Sequence, residues 1–68
     1  MTDDRVIKLM DKAIGGNIFA AAQLGEGYMK GSFGKKNPEK AEKWLSYAAK
    51  RGNDHAADLL KQLKKEDK

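Results

Sequence analysis

Apolar residues between positions 6 and 14 recur at spacings of three and four, which is the period of an α-helix. Thr2 or Asp3 is expected to cap the start of this helix. Gly15-Gly16 is expected to end it, because glycine adopts the left-handed conformation at a helix C-terminus at low cost. The pattern therefore predicts a first helix within residues 3–16. Its apolar positions are Val6, Ile7, Leu9, Met10, Ala13 and Ile14.

Three more helices are predicted by the same start and stop signals. Asn17, Asn37 and Asn53 each stand where an N-cap residue is needed, and Pro38 suits the first helical position. No segment alternates with period two for long enough to form a strand, so the fold class is all-α. The predicted helices cover residues 18–30, 38 to about 51, and 54 to about 63.

The chain repeats itself when it is shifted by 36 positions. The pair Gly16-Asn17 then coincides with Gly52-Asn53, at the corner between two helices. A helix-turn-helix unit of this length is typical of an α-solenoid, here a short one of about four antiparallel helices. We divide it into a leading half-repeat (about 3–16), a complete unit (about 17–52) and a trailing half-repeat or cap (about 53–65). The other coinciding residues are Leu9/Leu45, Ala13/Ala49, Ala20-Ala21/Ala56-Ala57 and Leu24/Leu60.

The complete unit resembles the Sel1-like repeat, a relative of the tetratricopeptide repeat. The resemblance implies a helical module that binds other proteins as an adaptor or small regulator, commonly in bacteria. It also implies that the first helix of each unit lines the concave surface where partners dock. The residues that carry the resemblance are Ala20, Leu24-Gly25, Tyr28, Gly31, Lys40-Ala41, Trp44, Ala48-Ala49, Gly52 and Ala56.

Two departures from the family pattern carry structural expectations. Phe33-Gly34 stands where the family has glycine followed by an aliphatic residue, so we expect Phe33 to fold onto the core. Lys61 and Lys64 take the places of Gly25 and Tyr28 in the last helix. That helix is therefore expected to be a terminal cap with a polar outer face.

Composition excludes several classes of protein. The 68 residues form one small domain, and the absence of cysteine excludes disulfide frameworks, cysteine-based zinc sites and thiol catalysis. His55 is interpreted as a surface or capping residue. We expect no enzyme activity, catalytic residue, metal or cofactor. The sequence has no apolar run long enough to span a membrane, and its acidic N-terminus is unlike a secretory signal, so a cytoplasmic location is expected.

The net charge of +4 lies entirely in the second half of the chain. This excess keeps open an alternative function, a basic nucleic-acid-binding domain whose face includes Lys36, Lys40 and Lys43. Trp44 and Tyr47 lie among these bases, as stacking residues do in such domains. The repeat register instead places Trp44 in the core and leaves Tyr47 exposed. We regard nucleic acid as the lesser alternative.

A helical wheel of the second helix predicts the partner-binding residues. Phe19, Gln23, Glu26 and Lys30 fall on a flank that the core stripe around Leu24 leaves free. Phe19 is the expected anchor, because aromatic residues dominate the energetics of protein interfaces. The competing interpretation is that Phe19 packs beneath the first helix.

The predicted function is therefore protein–protein interaction through the helix-lined face. Besides nucleic-acid binding, two further alternatives stay open. The chain is a fragment of a longer repeat array, or it is a small enzyme, which would require a pocket around His55 with a perturbed base. A unit this short is expected to leave the flanks of its end helices partly open, at Ile7 and Met10 or at Leu59 and Leu63. A monomer or a weak homodimer follows from that exposure.

Overall fold

Four α-helices make up most of residues 4–66, which are the residues that the computed structural model describes. The all-α prediction is confirmed, and the described residues contain no strand. The proposed caps Thr2 and Asp3 lie outside the described residues. The helices are α1 (Asp4–Ile14), α2 (Ile18–Lys30), α3 (Pro38–Lys50) and α4 (Asp54–Glu66).

Three asparagines cap helices as the sequence predicts. The side-chain oxygen of Asn17 accepts a hydrogen bond of 3.0 Å from the backbone N–H of Ala20. Asn37 and Asn53 accept corresponding bonds, of 3.1 and 2.8 Å, from the residues three positions further on. Each bond satisfies an N–H that has no partner within its own helix, and such a cap stabilises a helix by about 1 kcal/mol.

The two glycine-asparagine corners have the same geometry. Gly16 and Gly52 adopt φ of 105° and 97°, in the left-handed region that favours glycine. At the first corner, the N–H groups of Gly16 and Asn17 donate to the carbonyls of Ala13 and Lys12. At the second corner, the equivalent bonds run to residues 49 and 48, each 36 positions later. The internal repeat is therefore a repeat of backbone hydrogen bonding as well as of side chains.

Helix α2 lies at the centre of the molecule and packs against the other three helices. No Cα atom of α1 lies within 8 Å of α3 or α4, so α2 connects the two ends of the array. The Cα atoms extend 31 × 26 × 14 Å, which is a flat slab with two broad faces. Small side chains allow this close packing around α2. Its buried residues are Ala20, Ala21, Ala22, Leu24, Gly25 and Gly27.

The closest approach is between α2 and α3, at Gly25. A Cβ atom placed on Gly25 would lie 2.5 Å from Cγ of Leu45 and 3.1 Å from its backbone nitrogen. Leu45 is fully buried, as is Leu24 on the facing helix. Glycine is less favourable than alanine in a helix by about 1 kcal/mol. Its missing side chain leaves the space in which Leu45 is buried, and that burial stabilises the fold.

Phe33 folds back from the α2–α3 connection onto the core, as expected from the sequence. Its ring is half-buried and meets Tyr28 edge to face, with ring centroids 5.5 Å apart. A Cβ atom on Gly27 would lie 2.1 Å from the Phe33 ring, so the second glycine of α2 makes room for this side chain. The connection is closed by the N–H of Asn37, which donates to the carbonyl of Tyr28 at 2.8 Å.

The flank of the last helix, α4, is buried, whereas the flank of the first helix, α1, is exposed as expected. Leu59 and Leu63 are buried, with 5% and 7% exposure, because they lie on the side of α4 that packs against α2 and α3. The prediction that they stay open is therefore wrong. On α1, Ile7 is 44% exposed and Met10 is half-buried, as expected. Ile14, which was not singled out, is 75% exposed.

The placement of Trp44 in the core is correct only in part. Trp44 is half-buried and packs against the core from outside, whereas its neighbour Leu45 takes the fully buried position. Tyr47 is also half-buried rather than exposed, since it meets Trp44 edge to face at 6.1 Å. The guanidinium of Arg51 covers the Tyr47 ring at 3.9 Å from the centroid.

Gly25→Leu is expected to destabilise the fold although leucine is the better helix former. The new side chain collides with Leu45, and overpacking of this kind costs about 1–3 kcal/mol. Urea unfolding measures the change. Gln23→Leu, at an exposed site on the same helix, is the control and is expected to leave stability within about 0.5 kcal/mol. A Gly25→Leu variant as stable as the wild type would contradict the close approach.

Leu45→Ala is expected to cost more stability than Trp44→Ala, despite the larger size of tryptophan. Truncation of a fully buried leucine costs about 2–5 kcal/mol, because it adds a cavity to the lost burial. Trp44 loses only its half-buried contacts, for which we expect about 1–2 kcal/mol. Thermal melts of both variants provide the ranking, and the reverse order would show that Trp44 is the principal core residue.

Candidate functional site

A groove of about 600 Å³ lies between the first half of α2 and the start of α4. We call it the α2–α4 groove. The α3–α4 corner forms one end of it. Within the described residues this is the face on which α2 and α4, the first helices of successive units, pack side by side. The groove is lined by Ile18, Phe19, Ala22, Gln23, Glu26, Arg51, Gly52, Asn53, Asp54 and His55.

Phe19 is the most exposed large apolar side chain of the described residues, at 78%. It stands in the first turn of α2, two positions after the Asn17 cap, so its backbone is held in the helix. Ile18 and Ala22 adjoin it along the groove. The interpretation that Phe19 packs beneath α1 is wrong, because its ring lies in solvent.

Glu26 connects the two helices across the groove. Its carboxylate accepts a 2.9 Å hydrogen bond from Nζ of Lys30, one turn further along α2. The other carboxylate oxygen lies 3.3 Å from Nε2 of His55 on α4. The Lys30 bond, followed by the His55 contact, lowers the pKa of Glu26 below its ordinary value of 4.5, against the opposing effect of partial burial. The groove therefore carries a carboxylate that is charged and already partnered at neutral pH.

Three of the four predicted residues line the same groove. Phe19, Gln23 and Glu26 do so in a row along α2. Lys30 lies beyond Glu26, at a shallower depression that α1 and the α2–α3 connection share. It reaches the groove only through its bond to Glu26.

His55 was not predicted as part of the partner-binding face. The signal for it is present in the repeat, since His55 lies 36 positions after Phe19 and therefore occupies the same place on α4 as Phe19 does on α2. Equivalent positions on neighbouring units face the same surface. The repeat register, applied to side chains outside the core, would have brought the two residues together.

The alternative basic face is only partly assembled. Lys40 and Lys43 line a second groove, of about 550 Å³, between α1 and α3. We call it the α1–α3 groove. Lys36 is exposed in the α2–α3 connection, beside Gly31, and does not line it. Lys40 lies over the Tyr28 ring, 5.5 Å from its centroid.

The described part of the chain offers little to a metal ion. It contains no cluster of three or more His, Cys, Asp or Glu side chains placed to bind one. None of the four described helices has the length and apolar character needed to cross a bilayer.

Comparison with known families gives a clear result. The family model of the Sel1 repeat matches residues 18–53, which is more than half of the chain. The chain belongs to the Sel1 repeat family. Sel1 repeats are protein-interaction repeats, so this Sel1 module is of a general protein-binding type. No curated protein and no solved structure matches it significantly.

We expect Glu26→Gln to reduce stability in a pH-dependent way. Because the pKa of Glu26 is lowered in the folded state, its charge stabilises the fold above about pH 4.5, and this stabilisation is lost as the pH falls below that value. The pair is partly exposed, so the expected loss near neutral pH is only about 0.5 kcal/mol. Urea unfolding near pH 7 and near pH 2.5 measures it.

The matched control for this experiment is Glu42→Gln. Glu42 is exposed on α3 and takes part in no hydrogen bond or ion pair with another described side chain. Its substitution should change stability by less than Glu26→Gln near pH 7. An equal difference in stability between the wild type and Glu26→Gln at both pH values would contradict the charged pairing.

Proposed function

We propose that this Sel1 module is a non-catalytic adaptor that binds a protein partner through the α2–α4 groove, with Phe19 as its anchor. The observation that carries the proposal is the 78% exposure of an aromatic side chain inside a groove, on a helix that is otherwise firmly packed. A rigid aromatic with free surface binds at a low cost in conformational entropy.

The chemistry of the groove describes the partner. Phe19, Ile18 and Ala22 offer an apolar strip, which suits an aliphatic or aromatic side chain of the partner. Gln23 and the charged side chain of Asp54 lie beside this strip. Such a polar rim around an apolar centre is the usual anatomy of a protein interface, in which the rim adds specificity and association rate.

Protein is preferred over nucleic acid because of how the aromatic rings are used. The two aromatics among the bases, Trp44 and Tyr47, pack edge to face on each other, and Arg51 covers one face of Tyr47. An aromatic side chain that stacks with the nucleobases of a nucleic acid needs a free ring face. The cytoplasmic location and the bacterial source stay predictions.

Phe19→Ala is expected to weaken partner binding by at least about 2 kcal/mol, roughly thirtyfold, while thermal stability stays close to wild type. The partner is first captured from the source cell and identified by mass spectrometry. Calorimetric titration of the purified pair then gives the dissociation constant. Charge reversal at Glu26 or Lys30 is expected to have a smaller effect, because exposed charges mainly adjust association rate.

Ile14→Ala is the matched control, since Ile14 is 75% exposed and lies outside the groove. It should leave partner affinity unchanged. A large loss of stability in Phe19→Ala would make Phe19 a core residue. Unchanged stability together with unchanged binding would place the contacts elsewhere, and the face of Lys36, Lys40 and Lys43 would become the better candidate.

A further inference from the structure

The α1–α3 groove is a second concave surface that the proposed function does not use. Tyr28 of α2 lies in the groove, and α1 and α3 stand on either side of it. Its charged lining consists of Lys40 and Lys43 of α3, with no acidic residue. An occupant of this groove therefore needs apolar side chains together with negative charge. The apolar and aromatic lining is Met10, Ala13, Ile14, Tyr28, Trp44 and Tyr47.

The outer face of α1 carries that combination. Half-buried Met10 lies on the side of α1 nearest the groove, and the exposed isoleucines Ile7 and Ile14 lie next to it around the helix. Asp4 and Asp11 lie beyond the isoleucines, further from the groove. The two isoleucines are 44% and 75% exposed, and with Met10 they form a contiguous apolar strip along one face of α1 rather than isolated surface residues.

The charges on these two surfaces have no partners of opposite sign within the described residues. Asp4 and Asp11 form no ion pair there, and neither does Lys43. Lys40 makes only its contact with the Tyr28 ring. One chain thus displays an isoleucine-bearing helix face, bordered by two aspartates, directly beside a lysine-bearing, aromatic groove. Lys8 and Lys12 follow the aspartates further around α1.

We propose that a second copy of this chain docks on the first through these surfaces, as a two-fold symmetric dimer. A two-fold axis parallel to α1 brings the isoleucine faces of the two α1 helices together. The same rotation turns the acidic side of each α1 toward the α1–α3 groove of the other copy. Asp4 and Asp11 of one copy then face Lys40 and Lys43 of the other, and each contact is made twice.

A second copy accounts for the observations better than an unrelated acidic peptide. A peptide in the groove would neutralise the lysines but would leave Ile7, Asp4 and Asp11 of α1, which do not line the groove, uncovered. The dimer covers both surfaces at once. An interface of standard size, about 800 Å² per partner, would take about a sixth of the 4939 Å² surface of the chain.

Sedimentation equilibrium on the wild type tests the association. The mass is expected to rise from 7.5 kDa toward twice that value as the concentration increases from about 1 µM to about 1 mM. Added salt at about 1 M is expected to weaken the dimer, since it screens charge pairs. A wild type that stays monomeric up to about 1 mM overturns the proposal.

Two charge-reversal variants test the pairing. One carries Asp4→Lys and Asp11→Lys, and the other Lys40→Glu and Lys43→Glu. Each alone sets like charges against each other and should raise the dimer dissociation constant at least about tenfold. In the mixed dimer both sets of contacts again join opposite charges. An equimolar mixture should therefore dimerise nearly as well as wild type, and a mixture that stays monomeric overturns the charge complementarity.

Ile14→Lys keeps the test decisive if a charge variant folds poorly. Ile14 is 75% exposed, so its substitution should change the stability of the monomer little. In the proposed dimer, however, it lies where the two α1 helices meet. We expect it to raise the dissociation constant at least about tenfold. Phe19→Ala, on the other face, should leave the dimer intact, which separates this interface from the α2–α4 groove. Unchanged dimerisation in Ile14→Lys overturns the proposal.

Discussion

The close approach of α2 to α3 at Gly25 is the constraint on which the rest of the structure depends. Only a residue without a Cβ lets the side chain of Leu45 enter the space between the helices. Since α1 and α4 are held mainly through α2 and α3, any widening of this contact would separate both ends of the array. A domain of this size has only a few kcal/mol of net stability, so it tolerates little loosening there.

This constraint also decides which side chains remain available for binding. Helix α2 buries six residues against three neighbours, and its free surface is confined to a narrow flank that ends in Phe19. Helix α1 has only one neighbouring helix and keeps a wide open face with Ile7 and Ile14. The two surfaces lie in different surroundings, one beside mixed charges and the other beside lysines, and they are therefore suited to different partners.

Local chemistry made most of the fold predictable from sequence. Helix limits follow from caps such as Asn17 and Asn37, whose signals lie within a few residues of the effect. Predictions failed where burial depends on the path of a distant helix. Leu59 is buried although a unit this short was expected to leave the flank of its last helix partly open. The Glu26–His55 contact joins residues 29 positions apart, so only the packing of α4 beside α2 creates it.

The two glycine-asparagine corners, with their matching hydrogen bonds 36 residues apart, give the chain interchangeable junctions. A duplicate of residues 17–52 inserted after Gly52 would begin and end at the same dipeptide and would pack its first helix on α3 as α4 does now. The module can in this way be lengthened by whole units without new joints. A row of α2-type helices would then carry one copy of Phe19 per unit, at a spacing fixed by the packing of successive units.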